Sequence, residues 1–123
     1  MKKYILIATL LFIFHTAEEA FTQFWKINSF LLTKIFGFEP MVSYWIAQPI
    51  LYVFSFVTYR CLHTKHEKKT LFILGLILLY EFWHPLASLR AGTYTSGLLT
   101  GTLISIFSIY YWTKLYRYLK SGR

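Results

Sequence analysis

Two histidines and three glutamates lie inside apolar segments of this sequence, where charged side chains are rare and costly. In the stretch FIFHTAEEAF, His15 precedes Glu18 and Glu19 by three and four residues. In the stretch YEFWHP, Glu81 and His84 are three residues apart. Residues three or four apart share one face of a helix, so each stretch would present imidazole and carboxylate groups together.

Imidazole and carboxylate groups are ligands for zinc, iron and manganese. We therefore predict that His15, Glu18 and His84 bind a divalent metal. Glu19 and Glu81 would then be the catalytic residues, because a carboxylate beside the metal can take up a proton. In a second interpretation, the buried groups pass protons or hold a cationic ligand without metal. In a third, they only hydrogen-bond across the helices and fix their register.

Four apolar segments account for most of the 123 residues, and each approaches the roughly 20 residues needed to cross a bilayer as a helix. Charged residues make up only 15% of the chain, against about a quarter in soluble domains. The sequence therefore predicts an all-α fold, a single integral domain over residues 1–123, and a multi-pass location in the cell membrane. The predicted four-transmembrane-helix bundle uses approximately residues 4–25, 41–60, 70–89 and 97–116.

Lysine and arginine are distributed unevenly around these segments. Ten of the thirteen basic residues lie before the first segment, from the end of the second segment to the start of the third, or from the end of the fourth segment onward. The positive-inside rule then predicts that both termini and the second loop are cytoplasmic. The net charge of +8 follows from this bias, and such a surface attracts anionic membrane lipids. No nucleic-acid recognition motif accompanies the charge, so we expect no nucleic-acid partner.

The opening MKKYILIATLLFIF also resembles a signal peptide, with a basic start and a short apolar run. The apolar character resumes at Phe21, Phe24 and Trp25, and AEEA is a poor cleavage site. We therefore expect this segment to stay in the protein as its first membrane helix.

The first outer connection, KINSFLLTKIFGFEP, carries an apolar stripe at helical spacing. Gly37 and Pro40 are typical of its end. The stripe predicts a short amphipathic helix lying in the membrane interface. Its residues are Phe30, Leu31, Lys34, Ile35 and Phe38.

Counting from the basic residues places the two His/Glu stretches at one depth. His15 is twelve residues after Lys3, and Glu81 is twelve residues after Lys69. Both segments run in the same direction, so these two side chains should lie level with each other. The same count predicts that Glu18 lies level with His84, and that Gln48 and Thr102 lie level with His15.

Proline marks the same region of the third segment. Pro85 has no N–H group to donate to the carbonyl of Glu81 four residues earlier. The helix is therefore expected to open beside this acidic residue and to leave its carbonyl free. Pro49, next to Gln48, is expected to have a similar effect in the second segment.

The stretch HTAEE, together with a second element further along the chain, resembles the signature of the HXXEE-domain family of small multi-pass membrane proteins. That family pattern continues with a histidine and then Tyr-x-Pro-Gly-x-x-Thr, and Ser96 takes the place of the proline here. The family's function is uncharacterised, so the resemblance marks residues without assigning roles. They are His15, Glu18 and Glu19 in the first element, and His84, Tyr94, Gly97 and Thr100 in the second.

Together these patterns predict a metal-dependent membrane enzyme, a hydrolase or an isomerase, acting on a lipid or lipid-like substrate from the bilayer. Arg90, Tyr94 and Gln48 are the predicted substrate-binding residues, with Arg90 and Tyr94 near the entrance to meet a phosphate or other anionic group. One alternative is a proton-coupled transporter without metal, which at this chain length would need to form a homodimer. Another is a structural partner subunit of a different membrane protein.

Overall fold

The structure is a computed structural model that describes residues 1–27 and 29–121, without the side chains of residues 27–32. Every regular element in this described part is an α-helix, as the composition predicts. The helices are α1 (Lys2–Phe21), α2 (Phe24–Ile27), α3 (Ser29–Phe36), α4 (Pro40–Arg60), α5 (Glu67–Tyr80), α6 (Trp83–Ala91) and α7 (Leu98–Lys120).

Three stretches of the described chain are long and apolar enough to cross a membrane. They are α1, α4 and the region from Glu67 to Ala91 that contains α5 and α6, with 20, 21 and 25 residues. Helix α7 is longer than α1 but carries many Ser, Thr and Tyr side chains, and it is not in this group. The fourth span and the orientation of the termini therefore stay predictions.

The third apolar segment is broken beside Glu81, where Pro85 predicts an opening. Helix α5 ends at Tyr80 and α6 begins at Trp83. The expectation of a free carbonyl at Glu81 is wrong, because this carbonyl accepts a hydrogen bond of 3.2 Å from the N–H of His84. The chain thus replaces the bond that proline cannot make with a tighter turn. This turn places Glu81 in the break and His84 in the first turn of α6.

Proline has a different effect in α4. Pro40 is at the helix start, where its missing N–H costs nothing. Pro49 lies inside the helix, and α4 nevertheless continues without a break to Arg60. Gln48 is buried beside Pro49 and points into the protein.

The long helices pack around one apolar core. Helix α1 contacts α4 and α7, and α5 contacts the same two helices. The four helices therefore form a closed ring of contacts. Gly75 of α5 allows Trp112 of α7 to approach closely, and the Trp112 indole N–H donates to the Gly75 carbonyl at 3.0 Å. The centre of the core is formed by Ile5, Ala8, Phe12, Leu71, Leu74, Leu78, Ile104, Tyr111 and Leu115.

Helix α3 forms within the connection where a short helix is predicted, and it packs against α4. It ends at Gly37, whose φ of +71° suits glycine and whose N–H bonds to the Thr33 carbonyl at 2.8 Å. Ile35 and Phe38 of the predicted stripe are exposed. The side chains of Phe30 and Leu31 lie outside the described residues, and the position of α3 in a membrane interface stays a prediction.

Candidate metal centre

Four ionisable side chains from the two His/Glu stretches meet in the interior. His15 and Glu19 come from one face of α1, Glu81 from the break after α5, and His84 from the first turn of α6. Their exposed fractions are 3%, 4%, 5% and 6%, so all four are buried. We call these four residues the His/Glu cluster.

Each of the two imidazoles points its Nε2 atom at both carboxylates. His15 Nε2 lies 3.1 Å from Glu81 Oε2 and 3.5 Å from Glu19 Oε1. His84 Nε2 lies 3.4 Å from Glu81 Oε2 and 3.6 Å from Glu19 Oε1. One ligand atom each from His15, Glu81 and His84 falls within 4.8 Å of the others, which is a group that could hold a metal ion. The predicted level pairing of His15 with Glu81 is therefore confirmed.

The hydrogen bonds on the far side of each ring determine which nitrogen carries a proton. His84 Nδ1 lies 2.8 Å from the Ser96 carbonyl, which can only accept, so Nδ1 is the donor. His15 Nδ1 lies 2.8 Å from Thr100 Oγ1, and that hydroxyl already donates to Glu18. The oxygen of Thr100 must therefore accept from His15 Nδ1. Both Nε2 atoms are left to face the carboxylates.

With both imidazoles neutral, this arrangement would place four acceptor atoms next to one another. A neutral imidazole with its proton on Nδ1 offers a lone pair at Nε2, and an ionised carboxylate has no proton to donate. Glu81 Oε2 is buried and has no hydrogen-bond partner among the described residues. A positive species, either shared protons or a metal ion, is needed to offset the repulsion among these atoms.

A chain of hydrogen bonds between α1 and α4 holds the carboxylate oxygen of Glu19 that does not face the histidines. Gln48 Nε2 donates to Glu19 Oε2 at 3.3 Å, which leaves Oε1 to face the histidines. The hydroxyl of Thr16 donates to Gln48 Oε1 at 2.7 Å, and Tyr52 donates to Thr16 in turn. The predicted level of Gln48 is confirmed, and its amide orientation follows from these partners.

A cavity of about 340 Å³ adjoins the cluster, and residues from each of the helices α1 to α6 line it or its edge. All four cluster residues and Gln48 line it. The rest of its wall is apolar or aromatic, and includes Phe24, Tyr44, Leu51, Ile77 and Trp83. The buried acceptor atoms are therefore accessible from an apolar space.

The carboxylate of Glu18 lies elsewhere, at the N-terminus of α7. It accepts from the backbone N–H groups of Leu99 at 3.0 Å and Thr100 at 2.7 Å, from the Thr100 hydroxyl at 2.5 Å, and from the Tyr94 hydroxyl. The positive end of the helix dipole favours an anion at this position. Desolvation and the hydrogen bond to Glu18 raise the pKa of Tyr94 to about 12, so its phenol remains a donor at neutral pH.

The chain matches, over residues 6–111, the family described as "Protein of unknown function with HXXEE motif". It belongs to this HXXEE family. No significant match was found among curated proteins or solved structures.

The structure gives separate positions to the two acids of the HXXEE motif. Consecutive residues of a helix point about 100° apart, so Glu18 and Glu19 cannot face the same neighbour. Glu19 joins His15 in the cluster, whereas Glu18 binds α7 and reaches the other nitrogen of His15 only through Thr100. The predicted ligand set of His15, Glu18 and His84 is therefore not the group that the structure brings together, and Glu81 stands where Glu18 was expected.

Two glycines of the HXXEE chain make room for the imidazoles. A Cβ on Gly97 would lie 2.6 Å from His84 Nδ1 and 2.8 Å from His15 Cε1. A Cβ on Gly101 would lie 2.7 Å from the Cβ of His84. The sequence gives no sign of this contact, since glycines at this spacing more often indicate helix–helix packing.

The other residues that the sequence analysis assigned to the site, Arg90, Tyr94 and Thr102, lie outside the cluster. Arg90 is exposed on α6, and neither Arg90 nor Tyr94 is among the residues that line the cavity. Thr102 bonds to the Leu98 carbonyl of its own helix at 2.6 Å, so the polar group that α7 contributes to His15 is Thr100 instead. Thr100 is the threonine of the second family element. That membership is the sequence feature that pointed to Thr100 as a residue of the site.

Thr100 supports a testable prediction about the metal. Thr100→Val removes the hydroxyl that accepts from His15 and donates to Glu18, and should lower divalent-metal affinity by about 10- to 100-fold. Thr100→Ser keeps the hydroxyl and is expected to retain most of the affinity. Both variants can be compared by competition with a metal-sensitive dye. Equal affinities in the two variants would show that this hydrogen bond does not position His15.

Proposed function

We propose that this chain is a divalent-metal-dependent membrane enzyme acting on a lipid-like substrate. It spans the bilayer with α1, α4, the α5–α6 segment and α7, and both termini face the cytoplasm. Three of these segments are long and apolar enough for this role, which supports the proposal. The concentration of basic residues in the termini and second loop supports the orientation.

His15, His84 and Glu81 would hold the metal, with Glu19 beside it. Two imidazoles and carboxylates are a ligand set for zinc, iron or manganese. Each histidine is oriented through Nδ1 by a hydroxyl or a carbonyl, as metal-binding histidines usually are. Glu81 Oε2 has no other partner among the described residues, so a cation would satisfy it.

The observation that carries the enzymatic proposal is the position of these acceptor atoms at the wall of an apolar cavity. A divalent metal there would supply Lewis-acid activation of water or of a carbonyl group. Glu19, held by Gln48 through its other oxygen, is positioned to take up a proton from the reacting group. Hydrolysis or isomerisation of a lipid-like molecule fits this combination of groups.

Proton transfer without metal is the second candidate, and one observation favours it. A continuous row of hydrogen bonds and close contacts leads from Tyr94 in the loop through Glu18, Thr100 and His15 to Glu81. Such a row can relay protons between the outer loop and the buried cluster. A proton-coupled transporter or binding protein could use it in the absence of a metal.

Metal analysis of the purified protein separates these candidates. We expect stoichiometric zinc, iron or manganese in the parent protein in mild detergent, and loss of the metal in His15→Ala and His84→Ala. His66→Ala is the matched control, because this histidine is exposed in the second loop and should not affect the metal. A parent protein that contains no metal and takes up none of the three would refute the metal-dependent enzyme and leave proton transfer or a structural role.

A further inference from the structure

The cavity beside the His/Glu cluster has a polar end and an apolar body. The polar end consists of the cluster and the amide of Gln48. The body is formed by side chains that offer no charged group, including Ile35, Phe36, Ile50, Leu51, Ile77 and Trp83. A molecule that fills this space must have a long apolar part and a single polar end.

The body of the cavity reaches the outer surface of the helices. Four of its lining side chains are more than half exposed: Ile35 at 61%, Ile50 at 56%, Tyr80 at 65% and Trp83 at 53%. They belong to α3, α4, α5 and α6, so the cavity opens sideways between helices. In the proposed membrane orientation this side faces lipid, and a molecule dissolved in the bilayer can enter directly.

The charges at the polar end restrict what can bind there. Glu19 and Glu81 line the cavity, whereas none of the described residues that line it is lysine or arginine. Arg90, which the sequence placed at an anion-binding entrance, is not part of this wall. With a divalent metal bound at the cluster, the two carboxylates would balance its charge. A phosphate buried here would therefore add negative charge without a partner, which disfavours its binding.

We infer that the cavity selects a long-chain molecule whose polar end is uncharged, such as an ester, an amide or an alcohol, and discriminates against anionic lipids. This inference rests on the proposed lipid-like substrate and narrows its class. The uncharged oxygen of such a group can approach the cluster without adding charge. Membrane phospholipids that carry net negative charge are poor ligands by the same argument.

Binding can be measured by the quenching of Trp83, which lines the cavity. The probes are a long-chain alcohol, its methyl ether and its phosphate monoester, all with the same brominated chain, added to protein in phosphatidylcholine vesicles. The signal from Trp83 is the difference between the parent protein and Trp83→Phe. Ala47→Phe is the control for location, because Ala47 lines the cavity and a phenyl group there should prevent quenching by every probe.

We expect the alcohol and the ether to quench Trp83 at concentrations at least about tenfold lower than the phosphate, with or without a chelator. Glu81→Gln should reduce this difference, since it removes one negative charge from the polar end. A phosphate that binds as tightly as the alcohol would overturn the inference, and so would quenching that Ala47→Phe leaves unchanged. Selective binding by a parent protein that takes up no zinc, iron or manganese would refute the metal centre and leave the inference standing. Phosphate preference in metal-loaded protein would refute the inference alone.

Discussion

Glu81→Gln should lower divalent-metal affinity by about 100-fold or more while the chain remains folded. Glu81 Oε2 lies 3.1 Å from His15 Nε2 and 3.4 Å from His84 Nε2, and apart from these two imidazoles it has no polar partner among the described residues. A glutamine keeps the size of the side chain but has no negative charge to bind a metal. Its amide can still hydrogen-bond to an imidazole nitrogen.

This substitution therefore distinguishes a metal ligand from a residue that only holds the helices in register. Metal affinity is measured by dye competition, and folding by circular dichroism and gel filtration in detergent. Glu39→Gln is the matched control, because Glu39 is an exposed acid before α4 that makes no side-chain capping bond. Unchanged metal affinity in Glu81→Gln would exclude Glu81 as a ligand.

Gly97→Ala should destabilise the protein more than the same substitution at Gly92. Both glycines have positive φ, +79° and +66°, which costs an alanine roughly 1–2 kcal/mol. Only at Gly97 would the new Cβ also meet the rings of His84 and His15, at 2.6 Å and 2.8 Å. At Gly92 nothing lies within 4 Å of it.

The collision at Gly97 should add about 1–3 kcal/mol to the loss of unfolding free energy and displace the imidazoles from the cluster. Denaturant unfolding in micelles gives the two free energies, and metal analysis reports on the cluster. Gly92→Ala carries the same backbone penalty, so the difference between the two variants isolates the contact with the histidines. Equal destabilisation in both variants would show that Gly97 is required only for its backbone conformation.

The general outline of the site could be predicted because depth along a helix follows from counting residues. A rise of about 1.5 Å per residue places His15 level with Glu81, and their atoms lie 3.1 Å apart. Gln48 was predicted at this level by the same count, and it bonds to Glu19. Length and composition were also sufficient to identify all-α structure and three segments of membrane-spanning length.

The rotation of each helix about its axis could not be predicted in the same way. Glu18 and Glu19 are adjacent, and only the contacts of α1 with α7 determine which of them faces the cluster. Thr100 rather than Thr102 reaches His15 for the same reason, since a shift of two residues turns a side chain by more than half a circle.

The site joins parts of the chain that are synthesised at very different times. His15 and Thr100, which are hydrogen-bonded, are 85 positions apart, and Glu18 and Thr100 are 82 apart. When α1 leaves the ribosome, its histidine and two glutamates have none of these partners, and Gln48 is the first to follow. The four side chains of the cluster can therefore meet only after His84 has been made, and His15 Nδ1 and Glu18 find their partners only when the start of α7 follows. A chain that ends before Thr100 leaves these two groups of the first helix without the hydrogen bonds that they make in the finished protein.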